Sequence, residues 1–203
     1  MIKEETMQDL HFIKDEMLSH IPICTHADPK KVLIIGGCDK LQAEVEKHKI
    51  VEEIVRLSEK EAGDKISTLG ENYFDIIIVA SENFLTDRVF WGLLNRTLDV
   101  KGVVSTMSSR LLTQEEDVKE ELEILGELFK IVMPYRYESS AHGTGLSCRN
   151  LILVSHSYHP TADINLQRAD LTDGFEYYNS DIAIGTFHLP TTTRKQFLGL
   201  IKL

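Results

Sequence analysis

Three short segments carry residue types that could do chemistry: Gly36-Gly-Cys-Asp39, Ser58-Glu59 and Ala80-Ser-Glu-Asn83. Each follows an apolar run, and in an open α/β sheet ligands bind beyond the carboxyl ends of strands, near where the strand order reverses. Paired glycines let the chain turn tightly and approach a ligand, and Asp39 is placed to hold an ammonium or a hydroxyl. A purely structural strand-to-helix turn has the same sequence, so Gly-Gly-x-Asp alone assigns no ligand. It also misses the dinucleotide pattern, because Lys40, Leu41 and Gln42 follow where further glycine is needed. Glu59 stands where an acid after a second strand reaches a ribose, and equally where an exposed acid sits in a charged loop. Glu82 and Asn83, beyond the third strand, carry the same two alternatives.

Other chemistries lack their signatures. The 8 histidines are scattered; His142, His156 and His159 have no further ligand at a zinc spacing. No G-x-S-x-G elbow exists, and Gly143-Thr-Gly145 has no flanking strand to make one. The acids Glu115, Glu116, Asp117, Glu120, Glu121 and Glu123 spell a solvated helix face.

The elements that would position these segments alternate. Leu10, Ile13, Met17 and Leu18 space an amphipathic helix over residues 7–23, broken at Asp28-Pro29. Lys31-Val-Leu-Ile-Ile-Gly-Gly-Cys-Asp39 opens with a run suited to a central parallel strand. A helix over 41–49, a strand over 52–57, a strand over 74–80, a helix over 86–98 and a strand over 102–107 follow. Thr113-Gln-Glu-Glu spells a capping box for a helix running to about 126. Strands over 129–133, stopped by Pro134, and 150–155 complete the pattern, before a helix-rich tail after Thr161. This alternation predicts an α/β, Rossmann-like, doubly wound, mostly parallel sheet. It is expected in one domain over 1–203, with a leading helix in 1–28, the sheet core in 29–160 and a closing segment in 161–203. Only about 16 residues separate Leu57 from Phe74, too few for a helix–strand–helix passage. The sheet is therefore short of one helix and strand, or a segment is missing from the chain.

The 203 residues, 42% of them hydrophobic, suffice for one core, and 27% charged is ordinary for a globule. Lys+Arg 22 against Asp+Glu 32 gives a charge of -10, which argues against nucleic-acid or anionic-membrane binding. No apolar run approaches the ~20 residues of a membrane span, and the polar start Met1-Ile-Lys-Glu-Glu-Thr lacks a signal-peptide pattern. Cys24, Cys38 and Cys148 are odd in number, with no metal or disulfide spacing. A cytoplasmic protein is expected.

Two separated blocks resemble the polyamine aminopropyltransferases, the spermidine synthase family. The first is Asp15-Glu-Met-Leu-Ser-His20-Ile-Pro-Ile-Cys-Thr-His26 with the glycine run that follows it. It is similar to the family's His-Glu-Met…His-x-Pro-Leu helix before Val-Leu-x-Ile-Gly-Gly-Gly-Asp-Gly. The second is Phe175-Glu-Tyr-Tyr-Asn-Ser-Asp-Ile-Ala-Ile-Gly-Thr-Phe-His-Leu-Pro190. The resemblance implies a methyltransferase-like sheet of seven strands, possibly one short, in a homodimer. It also implies transfer of an aminopropyl group from decarboxylated S-adenosylmethionine to putrescine, giving spermidine and methylthioadenosine. A carboxylate would take the amine's proton, in-line positioning would supply much of the rate, and no metal would take part. Carried over by position, Gly36, Gly37, Asp39, Glu59 and Gly63 would bind the adenosyl co-substrate, and His20, Asp39, Tyr177 and Tyr178 the amine.

The departures from the family pattern are specific. The motif Asp-Ser-x-Asp-Pro, which holds the catalytic aspartate, is Ala80-Ser-Glu-Asn-Phe84 here, leaving Glu82 as the substitute base. Asp15 replaces the first helix histidine, Cys38 the third glycine and Lys40 the glycine after the acid. Ser58 stands at the ribose acid, with Glu59 beside it, and Ala62-Gly63 at the adenine-contacting Asp-Gly. The family's N-terminal β-strand domain is not evident. Three readings follow: a diverged aminopropyltransferase, a non-catalytic relative binding an adenosyl ligand or a polyamine, and a methyltransferase.

Overall fold

A computed structural model describes residues 10–141 and 145–203. Its centre is a six-stranded sheet of order β2-β1-β3-β4-β6-β5. Strands β1 (Lys31–Gly36), β2 (Glu53–Leu57), β3 (Phe74–Ala80) and β4 (Leu98–Met107) run parallel. The hairpin strands β5 (Ile131–Ala141) and β6 (Gly145–Ser155) close one side, with β6 antiparallel to both neighbours. The order reverses beside β1, which has β2 on one side and β3 on the other, so the ends of these strands form the switch point.

Period-two alternation explains why the central strands look apolar throughout. Val32 and Ile34 of β1 and Ile76 and Ile78 of β3 face one core. Leu33, Ile35, Ile77 and Val79 face the other. The first core is roofed by α1 (His11–Thr25), α2 (Asp39–Glu46), α6 (Leu166–Leu171) and α7 (Ser180–Gly185). The second is roofed by α3 (Glu59–Lys65), α4 (Arg88–Thr97) and α5 (Glu115–Leu128), with Phe197 after α8 (Thr191–Gln196).

The short passage between Leu57 and Phe74 holds α3 and one 3-10 turn, Ile66–Thr68, before the chain enters β3. One crossover fits in that length, so β2 stays at the sheet edge and the sheet has six strands rather than seven.

Several boundaries depart from expectation for physical reasons. Pro134 does not stop β5: it pairs with Ile152 on an edge strand, where a missing N–H costs no ladder bond. Thr113 does not cap α5; the N-cap is Gln114 and makes no side-chain cap bond. Helix α1 is not amphipathic in effect, because Asp15 through Thr25 are all buried. Nor is the acidic face of α5 wholly solvated. Glu121 is buried and accepts hydrogen bonds from the Ser108 hydroxyl (2.7 Å) and the Ser109 N–H (3.1 Å).

Candidate active site

Left-handed backbone at Gly36 (φ 74°) and Gly37 (φ 69°) turns the chain out of β1 and into α2. A Cβ on Gly36 would lie 3.0 Å from the Ala80 carbonyl oxygen, and one on Gly37 2.6 Å from Leu41 Cδ2. Both positions therefore require glycine on conformational and steric grounds. The turn rims a groove of about 580 Å³ lined by Gly36, Gly37, Arg56, Ser58, Glu59, Lys60 and Glu61. Ser58 caps α3 in a reciprocal box with Glu61, which fixes where Glu59 leaves the strand.

The loop after β3 joins this groove to a second, larger cavity. Asn83 Nδ2 donates to Glu59 Oε2 (2.6 Å), on the groove side. Its neighbour Glu82 accepts from Arg149 (3.1 Å) and lines a cavity of about 610 Å³ beyond β4 and the β5–β6 hairpin. A ligand spanning both spaces would pass over Ala80, whose methyl group packs beneath the glycine turn.

The structure brings Gly36, Gly37 and Glu59 together at one groove, and Asp39 lies at its edge as the first residue of α2. The Asp39 carboxylate is ion-paired with the Arg56 guanidinium, which also donates to the Gly37 carbonyl (3.1 Å). Gly63 lies in α3 away from the groove lining. His20 is fully buried: its Nε2 meets Glu44 (3.1 Å) and its Nδ1 meets His48 Nε2 (2.9 Å). Burial holds the pKa of His20 below its ordinary value against the upward pull of Glu44, so at pH 7 a neutral imidazole donates to the Glu44 carboxylate and the contact is not an ion pair. Tyr178 is buried against His20 and Phe175, whereas the Tyr177 hydroxyl donates to Glu138. None of these three side chains lines the groove or the larger cavity. His142 lies outside the described residues; His156 bonds Asn95 (2.7 Å), and the His159 ring caps the Thr161 N–H (3.3 Å).

Sequence spacing also missed Arg56, Arg149 and Glu16. The first two neutralise the acids singled out by sequence, and parallel register or hairpin pairing brings them there. Glu16 belongs, with buried His20 and partly buried Glu44, to a cluster whose ligand-type atoms lie within 4.8 Å of one another. The Glu16 carboxylate already accepts the N–H groups of Glu176 (2.8 Å), Tyr177 (2.9 Å) and Tyr178 (2.8 Å). Those bonds make it a clamp for the C-terminal segment.

A glycine turn at the switch point, with an acid after the next strand, defines a Rossmann-like, doubly wound α/β protein. Residues 11–58 match the sequence model of the spermine/spermidine synthase domain. The polyamine aminopropyltransferase of Helicobacter acinonychis is 28% identical over 200 residues, covering 88% of this chain and 74% of that protein. That of Methanocaldococcus jannaschii is 28% identical over 220 residues, with 90% and 74% covered. In fold, the spermidine synthase from Thermotoga maritima superposes with a TM-score of 0.80 at 24% identity, covering 94% of this chain and 75% of that one. A spermidine synthase in complex with the transition-state analogue AdoDATO gives 0.82 at 23% identity, with 94% and 76% covered. Over most of its length the chain is thus similar to polyamine aminopropyltransferases, and it shares the fold of the spermidine synthases.

Proposed function

We propose that the protein is an aminopropyltransferase that binds decarboxylated S-adenosylmethionine in the groove at the ends of β1 and β2. The observation that carries this reading is the left-handed Gly36–Gly37 turn facing Glu59 across one groove. Bare backbone there admits a nucleoside closely, and the Glu59 carboxylate can accept from ribose hydroxyls. Arg56 neutralises Asp39 and leaves Glu59 and Glu61 as the acids on the groove wall.

In the transfer, the acceptor's amine nitrogen forms a bond to the aminopropyl carbon. The carbon–sulfur bond breaks with its electron pair moving to sulfur, which neutralises the sulfonium and releases methylthioadenosine. The proton shed by the nitrogen passes to a carboxylate or to water, and Glu82 is the carboxylate at the junction of the two spaces. The acceptor that family resemblance implies is an amine, putrescine in the family's own reaction with spermidine as its product, and the side chains of the cavity select which amine serves here, in a cytoplasmic homodimer of single-domain chains. The free cysteines suit a reducing compartment. Among the described residues no helix is long and apolar enough to cross a membrane.

A second reading, an adenosyl-ligand binder without transfer, is favoured by Ala80 at the family's base position and by the engagement of Glu82 with Arg149. Both readings need the groove. Calorimetry with methylthioadenosine should show binding that Glu59→Gln weakens at least tenfold, about 1.4 kcal/mol for a lost charge-assisted bond. Unchanged affinity in the variant would remove the groove from the account.

A further inference from the structure

The overall charge is -10, yet the larger cavity is lined by Lys14, Arg110, Arg136 and Arg149, with Glu82 as the only acid lining it among the described residues. Lys14 pairs at 3.7 Å with Asp15, and Arg149 pairs with Glu82. Arg110 and Arg136 form no ion pair among the described residues. Arg136 donates to the His188 carbonyl (2.8 Å), and its Nε is buried without a hydrogen-bond partner.

These cations are held in place. The segment carrying Arg110 is fixed by buried Glu121 at Ser108 and Ser109, and by Asn150, which accepts from the Leu111 N–H (3.0 Å) and donates to the Ser109 carbonyl (2.6 Å). On the paired strands of the hairpin Arg136 faces Asn150 and Tyr137 faces Arg149, so the two arginines leave opposite faces of the ribbon and reach the cavity around its edge. Met107, Leu111 and Leu189 supply an apolar wall, and buried Thr193 lines the same space with a hydroxyl that has no partner.

A dication entering such a space would meet like charge in a partly desolvated setting, which costs affinity. A carboxylate would find guanidinium forks suited to it. We infer that this cavity binds a small aminocarboxylate, with its carboxylate on Arg110 and Arg136, its chain on the apolar wall and its amine toward Glu82. That this molecule is the transfer acceptor rests on the proposed aminopropyltransferase reading; its binding does not.

The test compares 4-aminobutyrate with putrescine by calorimetry, with and without saturating methylthioadenosine. In 4-aminobutyrate a carboxylate replaces one aminomethyl end of putrescine. Tighter binding of 4-aminobutyrate, by tenfold or more, is expected. Arg110→Ala should weaken it about tenfold, roughly 1.4 kcal/mol, while leaving the thermal midpoint of the protein in place. Glu59→Gln should leave 4-aminobutyrate binding to the nucleoside-free protein unchanged, so failure of the groove and failure of the cavity give separate results. Preference for putrescine, no heat with either ligand, or indifference to Arg110→Ala would overturn the inference.

Discussion

Glu16→Ala should destabilise the protein by about 3–5 kcal/mol, because it strips a buried acceptor from three N–H groups at once. Glu16 is 1% exposed and sits mid-helix in α1, under the segment that leads into α7. Removing the carboxylate leaves the N–H groups of Glu176, Tyr177 and Tyr178 to find water or stay unpaired. In a chain of this length the loss corresponds to a fall in midpoint of roughly 6–20 °C. Glu16→Gln keeps one carbonyl acceptor and should cost less than alanine. Proteolysis should reach the segment after Leu171 first in the alanine variant, since the clamp joins that segment to the sheet core. Thermal melts of the three proteins check the order. A midpoint change within a few degrees for alanine would mean that the clamp holds little.

Acid should destabilise the fold well above the pH at which carboxylates titrate. Burial, then the neighbouring His20, Arg168 and Lys47, push the pKa of His48 down to about 3. The unfolded chain takes up a proton near pH 6.5, whereas the folded chain keeps His48 neutral until about 3. The stabilisation is therefore complete above pH 6.5 and is lost as pH falls from 6.5 toward 3. His48 alone should cost about 2 kcal/mol at pH 5 relative to neutral pH. His20 and His26, whose pKa values burial also lowers, act in the same direction. The buried acids Asp15 and Glu121 act in the opposite direction, because burial raises their pKa values. His48→Gln retains an N–H donor for His20 Nδ1 and removes the titrating group. Between pH 6.5 and 5 its stability should fall with a slope smaller by about one proton. An unchanged slope would assign the acid sensitivity elsewhere.

These two effects also mark what was legible in the sequence. The strands β1 and β3 and the glycine turn were plain, because apolar runs flanked by glycines and acids have few alternatives in an alternating chain. The short passage after Leu57 leaves two alternatives in the sequence, a sheet one helix and strand short or a missing segment, and the six-stranded sheet corresponds to the first. Glu16 was not legible: a glutamate in a helix normally points to water, and its partners lie about 160 residues away. His20 stood out for its resemblance to a family position, but its surroundings depend on His48 and Phe175, which only the tertiary fold brings near. The site acids were found without their counter-charges, since Arg56 and Arg149 arrive through strand pairing that no local pattern encodes. The basic cavity was hidden for the same reason, dispersed over α1, the loop after β4 and the hairpin in a chain that is acidic overall.

The similarity to spermidine synthases gives the fold, while the side chains around the two spaces bear on the proposed reaction and its amine. Ala80 removes the carboxylate from the family's base position. In the proposed transfer the proton would leave by Glu82 or by water, at a cost that general-base losses put at about 10²–10⁴ in rate. A slow chemical step with intact donor binding is the expected outcome of that proposal.

The most direct test is to incubate the protein with decarboxylated S-adenosylmethionine and either putrescine or 4-aminobutyrate, and to follow methylthioadenosine and the aminopropylated product by mass spectrometry. The account predicts equimolar release of both that requires an acceptor and falls at least tenfold in Glu59→Gln. Recovery of intact donor with both acceptors, at concentrations where calorimetry shows it bound, would contradict the assignment of transfer.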